Sequence, residues 1–279
     1  MKKIAIINQK GGSGKTTTVV NIGAYLSLFG KKVLLIDLDP QAHTTIHLGF
    51  NPSDLKKSVY DVLVNETSIE ESMVPTKMKN LFLLSSRIEL ASAEIELVNT
   101  IGREIILRDA LKKHKNSFDY VLIDCPPSLG ILTLNALTAV KEIFIPIQAE
   151  FFALEGLTKL IQTIKIIRER INPEIEVSGV IITMYDQRKN ICREVMQKVK
   201  GHFKDKVFNT KIRENVRLAE APSFGQTIIT FAPNSHGAID YRELAKEIIK
   251  GGDHEKNRIR QRPVKLDNAH SSGSRKKGK

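Results

Sequence analysis

The 279-residue sequence predicts an α/β fold, a mostly parallel twisted sheet flanked by helices on both faces. Three observations predict it. Apolar runs rich in Val, Ile and Leu recur along the chain, and a helix-like stretch follows most of them. The runs lack polar alternation, as strands buried on both faces do. In order, Ile4–Ile7 leads through a glycine-rich turn into a helix over Thr16–Phe29. Val33–Ile36 is the second strand and Asp54–Val64 the next helix; Leu81–Leu84 then precedes a helix over Arg103–Lys115. Strands at Tyr120–Ile123 and Ile143–Ile147 lead to a helix over Leu154–Ile171. Val177–Thr183 and helices over Asn190–Phe203 and His236–Ile249 complete the pattern. Right-handed crossovers between parallel strands place the functional loops at their carboxyl ends.

No internal repeat and no strong linker occurs before Gly251, so residues 1–250 read as one domain. Residues 251–279 change character: Gly251-Gly252 is followed by Arg, Lys, Ser and Gly with few apolar side chains. Such a basic tail cannot bury enough surface to offset its ordering entropy, and disorder is expected. From Asp253 to Lys279 there are nine Lys or Arg against three acids, half of the net +12. That excess favours polyanionic partners. No apolar run approaches the roughly 20 residues needed to cross a bilayer. The apolar start, Met1 to Ile7, is stopped by Asn8-Gln9-Lys10, too soon for a signal peptide. A soluble, cytosolic protein is expected. Cys125 and Cys192, far apart, do not suggest a disulfide framework.

The chemistry concentrates in Lys10-Gly11-Gly12-Ser13-Gly14-Lys15-Thr16-Thr17, between a buried-type strand and a helix. Glycines there let the backbone curl so that successive amides point inward at phosphate oxygens, joined by the open amides of the helix N-terminus. Lys15 is placed to reach β- and γ-phosphates, the Thr16 hydroxyl to ligate magnesium, and Thr17 to meet the α-phosphate. The usual pattern G-x-x-x-x-G-K-[ST] is not fully met, because Gln9 replaces its first glycine and a second lysine, Lys10, stands near the start. Two further strands end in acids: Asp37 and Asp39 in Asp37-Leu38-Asp39-Pro40-Gln41, and Asp124 in Asp124-Cys125-Pro126-Pro127. Carboxylates beside a phosphate loop can hold magnesium, usually through water, or orient the attacking water.

These three motifs together resemble the ParA/MinD class of P-loop NTPases, whose phosphate loop is a deviant Walker A. Asn215-Val216-Arg217-Leu218-Ala219-Glu220-Ala221-Pro222-Ser223 resembles the C-terminal motif of the ParA/Soj branch of partition ATPases. The likeness runs from about Met1 to Gly251. It implies a slow, magnesium-dependent ATPase in which two chains sandwich two ATP molecules as a homodimer. Lys10 then crosses the interface to the partner's nucleotide, much as an arginine finger does. By the same resemblance Asp39 positions the attacking water, Asp124 is the acid near magnesium, Asp37 supports the metal shell, and Pro222 meets the adenine. His43 departs from the pattern, in which Asp-Pro-Gln is commonly followed by Gly-Asn.

Two functions stay open on the sequence. The first is chromosome or plasmid partition: the ATP dimer binds duplex DNA without sequence preference, and a ParB-type centromere-binding protein stimulates hydrolysis. Basic residues from Arg188 to Arg217 crowd the C-terminal half with few aromatics between them, which suits phosphate contact better than base stacking. By the resemblance Arg217 is the best match to the family's DNA-binding arginines, or else serves the nucleotide pocket; Arg213 and Lys200 are further candidates for DNA contact, and the protein would associate with the nucleoid. With no helix-turn-helix segment before the loop, the chain resembles the small chromosomal-type members. The alternative is a MinD-like membrane-cycling ATPase that positions cell division. Such proteins end in a short amphipathic helix, whereas Ile259, Val264 and Leu266 form no stripe around Pro263, so no membrane partner is expected. An iron–sulfur reductase is set aside because neither cysteine has a cluster-ligand neighbourhood. His43 and His47, four residues apart, could share a helix face and bind a metal, but no third ligand accompanies them.

Overall fold

The computed structural model describes residues 1–114, 117–150 and 155–260, with side chains given except at 155–156 and 252–260. Seven strands form one sheet in the order β3-β4-β2-β5-β1-β6-β7. They are β1 (Lys2–Ile6), β2 (Val33–Asp37), β3 (Met73–Pro75), β4 (Leu81–Leu84), β5 (Tyr120–Asp124), β6 (Glu142–Gln148) and β7 (Glu176–Thr183). All neighbours pair in parallel except β3 with β4. The expected α/β class and all six expected strands are present. The antiparallel edge strand β3 was not expected; three residues are too few to carry a periodic signal.

Twelve α-helices accompany the sheet among the described residues. They are α1 (Lys15–Leu28), α2 (His43–His47), α3 (Val59–Val64), α4 (Ile69–Ser72), α5 (Leu90–Glu96) and α6 (Ile106–Lys113), followed by α7 (Ile131–Ala139), α8 (Glu155–Arg170), α9 (Asn190–Phe203), α10 (Val216–Glu220), α11 (Ile228–Phe231) and α12 (His236–Arg260). Strand side chains alternate between two apolar clusters, one on each face. Ala5, Ile36, Val121 and Ile145 face a layer built from α3 to α9. Ile4, Ile6, Leu35 and Leu122 face α1 and α10 to α12. Helix α1 therefore crosses from β1 on one face and α7 crosses from β5 on the other. Between these two strands the topology switches sides, and the crevice at their carboxyl ends is where ligands bind in such sheets.

Several helix boundaries depart from the sequence expectation. The helix expected over Asp54–Val64 is broken: a 3-10 turn at Pro52–Asp54 ends at extended Leu55, and α3 starts afresh at Val59, behind its cap Ser58. A capping box explains the restart, since the Ser58 hydroxyl caps α3 while the Asp61 carboxylate accepts from the Ser58 amide at 2.8 Å. The stretch expected from Arg103 begins as a 3-10 turn over Arg103–Ile105; Lys115 lies outside the described residues, as does Leu154 before α8. Helix α7 went unread because it is apolar nearly all round and shows no stripe. Helix α12 runs to Arg260, past the boundary expected at Gly251. Glycines cost helix propensity but supply every backbone donor, so the ladder passes through them. The basic segment beyond Arg260 lies outside the described residues.

One contact locks the end of α2 to the C-terminal arm. Gly49 and Gly225 both have positive φ, +81° and +61°, and a Cβ on Gly225 would stand 2.6 Å from the Gly49 Cα. Backbone cannot yield there as a side chain could. Gly225→Ala is therefore expected to destabilise the chain by about 2 kcal/mol or more in urea unfolding, from overpacking and left-handed strain together.

Candidate nucleotide site

The loop between β1 and α1 has the backbone an anion cradle needs. Gly12 and Gly14 sit in the left-handed region at φ +71° and +88°, and nothing lies within 4 Å of a Cβ built on Gly11 or Gly12. Helix α1 begins with no capping side chain and no acid in its first turn, so its leading amides are open. The Ser13 hydroxyl is buried without a hydrogen-bond partner. Lys15 is buried; its ammonium donates to the Lys10 carbonyl at 3.3 Å. Burial lowers its pKa, opposed by the nearby charges of Asp124 and Asp39. A buried cation under open amides calls for an anion, and a polyphosphate fits it.

The acids lie directly below. Asp37 and Asp124 are register neighbours at the ends of β2 and β5. Both are fully buried, and burial raises both pKa values; for Asp37 repulsion by Asp124 adds to this. The Thr16 hydroxyl donates to Asp124 Oδ2 at 2.7 Å. Asp124 Oδ1 is buried and unpartnered. Asp37, by contrast, uses both oxygens within its own loop, accepting from the Thr45 amide and hydroxyl at 2.9 and 2.8 Å and from the Asp39 amide at 3.2 Å. The structure thus makes Asp37 an anchor for the loop, and the acid with an open oxygen is Asp124. Asp39 is partly exposed at the turn, accepting from the Gln41 amide at 2.9 Å. No group of three or more His, Cys, Asp or Glu among the described residues could hold a metal alone. The donor set of one hydroxyl and one carboxylate suits magnesium arriving with its own phosphates and waters.

Beside Gly14 and Thr17 opens a cavity of about 140 Å³, lined also by Thr183, Met184, Arg213, Asn215 and Ala219. Pro222 lies in the following 3-10 turn and is not among its lining residues. A larger cavity, about 950 Å³, lies between α3, α4 and α6, away from the phosphate loop, and holds none of the candidate residues.

Sequence reasoning missed Thr44, whose hydroxyl reaches Asp124 Oδ2 at 2.7 Å, and Thr45. A threonine pair directly after the acidic turn was the available signal. It also missed Glu150, which holds the Lys10 ammonium at 2.7 Å, and Thr183, which donates to the Ser13 carbonyl at 2.9 Å. Glu150 follows the end of β6 and Thr183 ends β7, both far off in sequence.

The basic candidates are not one cluster. Lys200 is exposed on α9, in the layer on one face of the sheet. Arg217 belongs to α10 on the other face, where its guanidinium pairs with Glu220 at 2.9 Å. Arg213 is bound to Asp240 of α12, its amide and guanidinium both donating to the carboxylate. His43 is exposed while His47 is buried, so the pair does not share a face. Cys125 and Cys192 are free and buried.

Comparison with known proteins agrees with this geometry. Residues 1–177 match the family AAA_31, described as an AAA domain. The sporulation initiation inhibitor protein Soj of Bacillus subtilis is 49% identical over 251 residues, covering 90% of this chain and 99% of that protein. The chain belongs to the ParA/Soj family. The chromosome partitioning protein ParA of Caulobacter vibrioides is 44% identical, over 89% of this ParA/Soj chain and 94% of its own. Among solved structures, cobyrinic acid a,c-diamide synthase of Mycobacterium smegmatis with ADP and magnesium has 37% identity and a TM-score of 0.80, covering 91% of this chain and 96% of that one. MinD of Pyrococcus horikoshii with Mg-ADP shares the fold at 24% identity, over 91% of this chain and 98% of its own, with a TM-score of 0.73.

His47 gives this ParA/Soj chain a pH dependence with a definite sign. Its ring nitrogens have no hydrogen-bond partner of good geometry, although the Gln226 backbone lies alongside, and burial pushes its pKa down to about 4. A depressed histidine adds stability above its unfolded pKa of roughly 6.5 and loses it as pH falls toward the folded value. Between pH 7 and pH 5 this one group is expected to remove about 2 kcal/mol. In chemical denaturation at the two pH values, His47→Gln should show a pH-dependent loss smaller by that amount.

Proposed function

We propose that the chain is a partition switch: it binds ATP with magnesium, dimerises around the nucleotide, and holds duplex DNA in that state. The observation that carries this reading is the buried, half-satisfied Asp124 beneath the open amides of the phosphate loop, with the Thr16 hydroxyl on its other oxygen. A bound magnesium ion would supply neutralising charge at the phosphates. Lys15, Gly11, Gly12, Ser13, Gly14 and Thr17 bind the phosphates, and Thr16 and Asp124 face the metal. Asp39, on the partly exposed turn, orients the attacking water. Nothing here acts as a strong base, so turnover is slow and nucleotide state governs assembly.

Lys10 is the residue that acts across two chains. Within one chain it rests on Glu150, and both side chains are substantially exposed, at 38% and 54%. Such a surface pair is worth little, so the lysine is free to exchange it for a partner's phosphate. The 44% identity to ParA of Caulobacter vibrioides, a chromosome partitioning protein by name, supports the partition reading; on that reading a ParB-type protein is the stimulating partner and the nucleoid the place of action. The synthase is the less similar match, at 37%. For the MinD-like alternative, identity is 24%, and the tail segment on which it turns lies mostly outside the described residues. Among the described residues no helix is long and apolar enough to cross a membrane.

The deciding experiment measures duplex DNA retention without nucleotide, with ADP and with ATP, alongside anionic vesicles. Retention with ATP alone supports partition; vesicle binding without DNA binding would move the chain to the MinD-like class. In the same assay Lys15→Ala should lose ATP binding and DNA binding together. Lys10→Ala should keep nucleotide and lose hydrolysis, measured as phosphate release. Arg217→Glu should weaken DNA binding and reduce its salt slope by about one, with ATP affinity unchanged. A change in ATP affinity alone would place Arg217 at the nucleotide instead.

A further inference from the structure

Thr44 has no part in the reading above, yet its hydroxyl donates to Asp124 Oδ2 at 2.7 Å from a fully buried position. Thr16 donates to the same oxygen, also at 2.7 Å. Two hydroxyls from different segments therefore converge on one carboxylate oxygen, while the other has no partner. Leaving a buried carboxylate oxygen unpaired is costly, and a carboxylate free to turn would share its donors between both oxygens. Held from two directions through Oδ2, it cannot turn.

The contact is not forced by local structure. A threonine in a helix can satisfy its hydroxyl on a carbonyl one turn back. Thr44 instead reaches 80 residues along the chain to β5. The adjacent Thr45 does the equivalent with Asp37 and also accepts from the Ser86 amide at 3.0 Å. Consecutive hydroxyls of α2 thus clasp the acids that end two neighbouring strands.

We propose that Thr44 is a positioning residue of the magnesium site, its hydroxyl fixing the rotation of Asp124 so that Oδ1 stays presented to the metal's bound water. The proposal rests on the reading of this site as one for a magnesium nucleotide. Partners that orient a metal-facing group are worth 10- to 100-fold in metal affinity in known sites. Thr44→Val removes the hydroxyl at nearly constant shape, Thr44→Ala removes it with less bulk, and Thr44→Ser restores it.

The test is equilibrium binding of a fluorescent ATP analogue to the full chain, titrated with Mg²⁺ and repeated in EDTA. Thr44→Val and Thr44→Ala are expected to need about tenfold more Mg²⁺ for half-saturation. Their affinity in EDTA should match the wild type, and Thr44→Ser should recover the wild-type Mg²⁺ requirement. An unchanged Mg²⁺ requirement in both hydroxyl-less variants would overturn the proposal. So would an equal loss in EDTA, which marks a packing role, or a failure of serine to restore. If wild-type binding itself ignores Mg²⁺, the magnesium-nucleotide reading fails first and takes this role with it.

Discussion

Asp124 is the carboxylate on which the site's geometry hangs. It belongs to β5 in the middle of the sheet, yet its side chain is gripped by Thr16 at the start of α1 and by Thr44 at the start of α2. Burial raises the energy of its charge, and two hydroxyl bonds plus the Lys15 ammonium offset part of that cost. The remaining oxygen has nothing. A fold maintains such an arrangement only where the surroundings over-determine it, and here the ends of β2 and β5 and the starts of α1 and α2 do so. The deficit is local, polar and of the right sign for a cation accompanied by phosphates.

From that point two connections lead outward. One runs through α2: Thr45 holds Asp37, Gly49 follows the helix just past its cap, and Gly49 abuts Gly225 beyond the turn that follows α10. Metal site and C-terminal arm are therefore neighbours through one short helix. The other runs along β6 to Glu150, where Lys10 rests near the rim of the loop. The arm carrying Arg217 packs on the α1 face of the sheet, whereas α9 with its exposed lysines packs on the opposite face. Proximity in sequence concealed that division.

What the sequence made legible follows from how each signal is encoded. Six strands were readable because burial on both faces makes them continuous apolar runs, and the phosphate loop because its residues are consecutive. Asp37, Asp39 and Asp124 were readable as acids closing such runs. The three-residue β3 and the uniformly buried α7 offered no periodic contrast. The grip of Thr44 on Asp124 and of Thr183 on Ser13 spans 80 and 170 residues, and no local pattern announces a contact of that kind. The roles of the two aspartates at the strand ends were separable only from geometry, since both end an apolar run in the same way.

The claim beneath all of this is that a magnesium nucleotide completes the site and that its terminal phosphate joins two chains through Lys10. Sedimentation velocity of the purified chain with Mg²⁺ and a non-hydrolysable ATP analogue tests it most directly. The account predicts the mass of two chains with the analogue and of one chain with ADP, and a return to one chain with the analogue in Lys10→Ala. A single-chain mass with the analogue at saturating concentration would contradict it.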